Sequence, residues 1–476
     1  MRRNLFGTST MRRAALPAII AVACAVGGTV ANAQGTNFSS WRGGGEGPQR
    51  ATTSTFLAET RQVEPMLSGD SERMLMDAIA RYEIMARRGG WQPLPGGREL
   101  RVGGSGQLVM MLRRRLVAEA YLTPQQVAEP QRFDRAMEHA VKRFQHNHGL
   151  APTGVVDEAT RRALNVPVEQ RLATLRANVE RVREQTKKLG GKYVVVNIPA
   201  AQLETVQNGR VYARQNVVVG KTDRPSPVLS SRITELIFNP YWTAPLSIVK
   251  KDILPKVRQN PGFLKEMDIR IFDGYGGPEV DPGTVDWATV APDRYVFRQE
   301  PGLNNAMATV KLRFPNPYAV YLHDTPTKSL FSQAARYFSS GCVRVDQVHL
   351  LTEWVLRDQP GWSPARIQGI VGSGERVEVK LENPVQVRFA YMTGWATRDG
   401  GVHFRPDIYR LDGTGFVSGQ PEPIGGVGVA QAGPGQGAAP RAYGDSAVRV
   451  SSSSEQPRKR DEEAWVRPNF SSRAMQ

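Results

Sequence analysis

Tyr321 to Asp346 reads YLHDTPTKSLFSQAARYFSSGCVRVD. His323 closes the alternating run Tyr318-Ala319-Val320-Tyr321-Leu322-His323, which predicts a strand. Nineteen residues later Cys342 sits in Ser339-Ser340-Gly341-Cys342-Val343-Arg344, and a helix is predicted from about Asp346 to Leu356. A thiol is a poor nucleophile until it loses its proton, and a nearby imidazole and a helix N-terminus both favour the thiolate. Gly341 lets the backbone approach a reacting carbonyl, so the Cys342 amide can donate to a developing oxyanion. Arg344 adds a fixed cation whose fork suits a carboxylate. Each residue alone has a plainer reading: a buried structural thiol, a satisfied histidine at a strand end, a local ion pair. Together in one stretch they have a shared reason.

Working outward, the hydrophobic period is two from Lys192 onward. Tyr193–Ile198, Leu203–Val206 and Val211–Val219 read as short strands, with Asn208-Gly209 as a hairpin turn between the last two. The pattern returns at Val310–Phe314, Arg376–Leu381 and Val385–Met392. Residues 244–312 interrupt it, with a helix at Ser247–Gln259 (Ile248, Ile253, Leu254 and Val257 apolar) and then a polar stretch rich in Gly and Pro. This is an insertion within a β domain spanning 191–412. Upstream, 70–99 carry a helix from Ser71 to Arg88 with Met74, Met76, Ala78, Ile79, Tyr82 and Met85 on one face. Residues 100–165 form a small helical module, and 166–190 a single charged helix with Leu172, Leu175, Val179 and Val182 apolar. The fold class is therefore multidomain α+β, with a mainly β domain, a helical insertion and a small helical module.

The chain has 476 residues, 62 basic and 45 acidic, for a formal charge of +17. That length fits about two to four domains. Residues 1–33 read as an export signal: Arg2, Arg3, Arg12 and Arg13, the apolar run Ala14–Val26, then Ala31-Asn32-Ala33 as a cleavage site. An uncleaved anchor is the alternative. Cleavage after Ala33 removes four arginines and Cys24, leaving Cys342 as the single cysteine of a periplasmic protein. A leader at 34–69 is predicted to be flexible, and a Gly-, Pro-, Ala- and Ser-rich tail at 413–476 to be disordered. The basic charge is spread rather than clustered, which suits an acidic polymer outside the cytoplasm better than nucleic acid. No P-loop, dinucleotide fingerprint or G-x-S-x-G elbow is present, and no cofactor is expected. His349 lacks ligand partners at metal spacing, and His146 and His148 read as part of the helical module's loop surface, so no metal site is expected.

The histidine, Ser-x-Gly-Cys-x-Arg, Ser226-Pro227, Phe238-Asn239-Pro240-Tyr241-Trp242 and Phe314-Pro315-Asn316 together resemble the L,D-transpeptidase (YkuD-type) catalytic domain. In the helical module Phe133-Asp134, Val141-x-x-Phe144-Gln145, His148-Gly149-Leu150, Gly154 and Thr160-x-x-x-Leu164-Asn165 resemble the three-helix peptidoglycan-binding domain. The combination over about 70–412 looks like the large, lid-bearing (YcbB-like) subgroup. The resemblance implies a YkuD-type β-sandwich with the insertion as a lid. It implies Cys342 as nucleophile and His323 as its base, with Arg344 and Gly341 shaping the site. Tyr321, Tyr337, Ser339, Asn239, Tyr241 and Trp242 would line it. Ser340 stands where many members carry His, so only a loop-shaping role is expected there. The implied reaction forms a thioester with the third residue of a stem tetrapeptide, releases D-alanine, and passes the acyl group to a diaminopimelate amine as a 3→3 cross-link. Water, a D-amino acid or a protein amine as acceptor would make it instead a carboxypeptidase, an exchange enzyme or a protein-to-wall anchoring enzyme. A non-catalytic wall-binding protein is the rival reading. Peptidoglycan, other cell-wall synthesis enzymes and carbapenem-type inhibitors are the implied partners.

Overall fold

The computed structural model describes residues 63–124, 129–302 and 304–413, and the backbone of 56–57. The expected signal at 1–33, nearly all of the leader up to residue 62 and the tail from 414 lie outside the described residues.

Helix α1 (Ser71–Arg87) buries Met74, Leu75, Ala78, Ile79 and Tyr82, while Met76 is 48% exposed. Met76 was expected inside. The buried stripe runs i, i+1, i+4, i+5, i+8, and Met76 falls outside that arc. The helical module has α2 (Gln107–Ala118), α3 (Arg135–Asn147) and α4 (Glu158–Leu164) around its own core of Leu112, Leu116, Phe133, Met137, Val141, Phe144 and Leu164. Asp134 and Asp157 cap α3 and α4 by accepting from Met137 N and Thr160 N. The single helix predicted over 166–190 is two, α5 (Val168–Ala177) and α6 (Val179–Thr186). Buried Asn178 stands at the break and donates to Thr174 O (2.8 Å) and Thr393 Oγ1 (2.7 Å). Those bonds tie the break to the strand domain.

Strand β1 (Phe56–Leu57) pairs with β4. β2 (Lys192–Asn197) and β3 (Gln202–Gln207) are antiparallel, and β3 turns into β4 (Arg210–Gly220) through Asn208 and Gly209, both left-handed at φ 51° and 73°. β5 (Leu229–Phe238) leads into the insertion. There α7 (Leu246–Ile248), a π-helical turn at Val249–Ile253 and α8 (Leu254–Gln259) form the expected helix. The polar stretch beyond holds α9 (Phe263–Glu266). It also holds β7 (Ile269–Phe272), β8 (Glu279–Val280) and β9 (Val296–Gln299), which join β6 (Trp242–Thr243) in a separate four-stranded sheet. Val249, Ile253, Val257, Leu264, Ile271 and Phe297 form its own core. The main sheet resumes with β10 (Val310–Arg313), β11 (Leu322–His323), β12 (Tyr337–Ser339) and β13 (Val343–Val345). After α10 (Val348–Leu356) and α11 (Pro364–Ser373), the two strands expected at 376–392 are one, β14 (Val377–Ala390), with an irregularity between Lys380 and Val385. A hairpin of β15 (Gly394–Ala396) and β16 (Val402–Phe404) follows.

Strand order in the main sheet is β4-β13-β11-β10-β5-β14-β2-β3, and β3 pairs back with β4. The two faces of the expected sandwich are thus joined into one closed ladder, which removes both free edges. Val194, Val196, Leu203, Val217, Leu236, Leu312, Leu322 and Val343 pack with Leu351 and Trp354 of α10 in the main core. The opposite face of β2 and β3, with Tyr193, Val195 and Val206, packs against α1, α5 and the β15–β16 hairpin.

That hairpin also holds the helical module. Phe404 stacks on His148 (5.5 Å between ring centres), which stacks on Phe144 (3.9 Å), and Trp395 stacks on His403 (4.9 Å). Arg405 Nη1 donates to Asn147 O at 2.9 Å. His148 is therefore at a packed interface, not on the module's loop surface as expected, and His146 lies at its rim with its ring centre 6.1 Å from that of His403. Burial, reinforced by Arg171 at His148 and Arg405 at His403, holds both imidazoles well below their usual range. Nδ1 of His148 donates to Phe144 O at 2.7 Å, and its Nε2 is buried without a partner.

Because these pKa values are lower in the fold than in the unfolded chain, the unfolded chain binds more protons below about pH 6.5. Stability is complete above that pH and declines beneath it. We expect Tm to be flat from pH 6.5 to 8 and to fall by about 5 °C by pH 4.5. Calorimetry of His403→Gln beside the wild type should show a shallower fall.

Candidate active site

β11 lies between β10, antiparallel with Lys311 opposite His323, and β13, parallel with Leu322 beside Val343 and His323 beside Arg344. Val343 N donates to Tyr321 O at 3.1 Å, which carries the parallel register one residue further. Strand side chains alternate, so Leu322, Val343, Leu312 and Val345 enter the main core while Lys311, Tyr321, His323, Cys342 and Arg344 share the other face. Residues separated by up to 33 positions are brought together by register alone.

His323 is 6% exposed, and its Nδ1 lies 2.5 Å from Asp324 O. A carbonyl can only accept, so Nδ1 carries the proton and Nε2 offers the lone pair. The Asp324 carboxylate is itself held by Thr309 Oγ1 (2.6 Å), Thr325 N (2.8 Å) and Lys328. Burial, then Arg344, lowers the imidazole to about 3, so it is neutral near pH 7. Burial raises the Cys342 thiol, while hydrogen bonding from Tyr321 and the charges of Lys311 and Arg344 oppose that rise. The resting pair is a neutral thiol and a neutral base in proton-accepting form.

Cys342 is followed by β13, and α10 begins only at Val348. The expectation that a helix N-terminus activates the thiol is corrected: the field of a helix end falls off within a turn, and a whole strand intervenes. Positive charge at the sulfur comes from side chains.

The loop before the cysteine is pinned from several sides. Gly341 has φ +116°, and a Cβ there would meet nothing closer than 3.6 Å, so the backbone angle rather than space requires glycine. Its carbonyl accepts from Ser226 Oγ (2.7 Å), and Ser226 Oγ accepts from Gly220 N (2.9 Å). Ser339 Oγ donates to Cys342 O (2.5 Å) and accepts from Gly341 N (3.2 Å). Ser340 Oγ accepts from Arg224 Nη1 at 3.0 Å, and Arg224 forms a two-pronged pair with Asp252 (2.5 and 3.1 Å) on the π-helical turn. One guanidinium thus joins the insertion to the residue two positions before Cys342.

The remaining expected lining residues have the following partners. Asn239, left-handed at φ 46°, donates its amide to Ile370 O and Glu375 O, both at 2.8 Å, and so ties β5 to the end of α11. Tyr337 directs its hydroxyl toward Pro199 O (3.4 Å). Trp242 packs on the insertion's core, and Tyr241 is exposed with the Arg298 guanidinium 4.9 Å from its ring centre. The alternation in Val310-Lys311-Leu312 marks Lys311 as facing away from the core, but nothing local links it to a cysteine 31 residues on. Arg224 and Asp252 carried no motif at all.

A thiol, a neutral base and two cations on one strand face define a site suited to cysteine-based acyl transfer. Residues 191–379 match the YkuD family, described as the L,D-transpeptidase catalytic domain, and 105–164 match a family described as "Putative peptidoglycan binding domain". The chain carries an L,D-transpeptidase catalytic domain of the YkuD family, preceded by a peptidoglycan-binding domain. A Haemophilus influenzae protein named "Putative L,D-transpeptidase" is 33% identical over 220 residues. That match covers 46% of this chain and 44% of the relative, so the chain spans less than half of the curated relative's length. Among solved structures, an L,D-transpeptidase from Xylanimonas cellulosilytica is 16% identical, with 63% of this chain and 100% of that one covered and a TM-score of 0.21. The L,D-transpeptidase LdtMt1 in complex with imipenem is 15% identical, with 41% and 58% covered and a TM-score of 0.20.

Arg224→Gln removes a part-buried ionic clamp worth about 1.5–3 kcal/mol. Amide exchange across 246–259 should accelerate about 10- to 100-fold, as read by hydrogen-exchange mass spectrometry, with exchange in β2 and β3 unchanged.

Proposed function

We propose that this protein is a periplasmic L,D-transpeptidase that makes 3→3 cross-links in peptidoglycan. One observation carries the reading: Cys342, Arg344, Tyr321 and His323 share one face across the β11–β13 ladder, with the His323 proton on Nδ1. On attack, His323 Nε2 takes the thiol proton as the sulfur bonds to the carbonyl carbon of the third stem residue. The C–N bond then breaks, the proton passes to the departing amine, and D-alanine leaves behind a thioester. In the second half, the neutral imidazole takes a proton from the diaminopimelate amine as nitrogen bonds to the acyl carbon and the thiolate departs. A thioester keeps most of the activation of the cleaved amide, so cross-linking needs no nucleotide. Arg344, whose Nε is buried without a partner, faces the reacting centre as a cation available to a substrate carboxylate. Peptidoglycan is the proposed substrate, in keeping with the wall-binding domain upstream. Other wall-synthesis enzymes are proposed partners, and carbapenems, which present a strained amide to the same thiol, are proposed inhibitors.

Incubation with disaccharide-tetrapeptide should give dimers and free D-alanine by mass spectrometry. D-alanine without dimers would replace transpeptidation by carboxypeptidase activity. Cys342→Ser should lower turnover by more than about 1,000-fold, because a hydroxyl is far less nucleophilic than a thiolate. A carbapenem should add its mass to Cys342 and to no other residue. If a folded sample neither releases D-alanine nor takes up carbapenem, the non-catalytic wall-binding reading prevails.

A further inference from the structure

Lys311 is the member of this face that no motif marks. Its Nζ lies 4.0 Å from the centre of the Tyr321 ring, and the two side chains meet across the β10–β11 ladder. Among the described residues, no carboxylate is ion-paired with Lys311. Glu235, a carboxylate whose charge bears on it, is paired with Arg313 at 2.8 Å. A largely enclosed ammonium without a counter-ion is costly, and an apolar side chain would fill the same strand position without that cost.

We propose that Lys311 is a positioning residue for the nucleophile: its ammonium, laid on the Tyr321 ring, supplies the charge that holds the Cys342 thiolate and strengthens the phenol as a donor to it. A cation over an aromatic face draws electron density toward itself and makes the attached hydroxyl a better donor. Tyr321 hydrogen-bonds the sulfur, and that bond favours the thiolate. Burial lowers the Lys311 amine to about 8, and Cys342 is the largest influence in the opposite direction, so each charge favours the other. The need is specific to this site. His323 is neutral and provides no resting imidazolium, and α10 starts too far along the chain to help. Lys311 and Arg344 are the two cations that bear on the sulfur.

The inference rests on Cys342 as the nucleophile but is tested without any wall substrate. In the full-length protein, the rate of Cys342 alkylation by iodoacetamide, localised by peptide mass, is followed from pH 5 to 10. Lys311→Met should move the midpoint upward by about one unit, an approximately tenfold slower reaction at pH 7, and Lys311→Arg should restore most of the loss. In a Tyr321→Phe background the effect of Lys311→Met should shrink, because part of it passes through the phenol. Lys311→Gln serves the same purpose if the Met variant does not fold. An unmoved midpoint, or an Arg variant as slow as the Met variant, overturns the proposal. A normal Lys311 effect on alkylation with no acyl transfer to any stem would instead overturn the transpeptidase reading and leave this one standing.

Discussion

The register of β11 between its two neighbours is the constraint on which the site depends. A strand shows alternate residues to opposite faces, so a slip of one position would send Tyr321 and His323 into the main core and Leu322 out of it. The apolar partners Leu312, Leu322, Val343 and Val345 therefore fix where the polar ones stand, through their burial against α10. Closure of the ladder through β3 and β4 makes that register hard to lose, since a slip anywhere must be accommodated around the ring.

Burial sets the chemistry as firmly as geometry does. In water an imidazole near a thiol would be half protonated not far below neutrality. Here enclosure and the neighbouring cations keep His323 neutral, and enclosure alone would keep the thiol neutral too. In the proposed reaction proton transfer is thus coupled to attack, and the charge on sulfur would be met by Lys311, Arg344 and the Tyr321 phenol. The same physics operates at the interface with the wall-binding module. There His148 and His403 are neutral members of ring stacks beside Arg171 and Arg405.

Motif-bearing residues were legible because their chemistry is local. Ser-x-Gly-Cys-x-Arg, the Asn208-Gly209 turn and the period-two runs each announce themselves within a few residues. Features that depend on a neighbour brought by folding have no such local mark. The charged helix after the module breaks at Asn178 because Thr393, over 200 residues away, is available to bond it. Asn239 sits in a quoted motif, and folding gives its amide two carbonyls at the end of α11, Ile370 O and Glu375 O, that the motif does not show. Within the insertion, strands that pair only with one another are four residues long or shorter, too short for a period of two to stand out, and β8 has two residues.

By itself the amino-acid sequence determined the candidate cysteine and histidine, the glycine that the loop before the cysteine requires, and the two domain types, since each depends on side-chain chemistry or short-range backbone preference. Only the tertiary structure decided what surrounds the sulfur. Lys311 is a surface-phase lysine in its own strand and Arg224 an ordinary loop arginine. The first lies over the Tyr321 ring, and the second joins the insertion to the loop before Cys342, because hydrogen-bonded ladders and buried packing set distances between segments that no local pattern encodes.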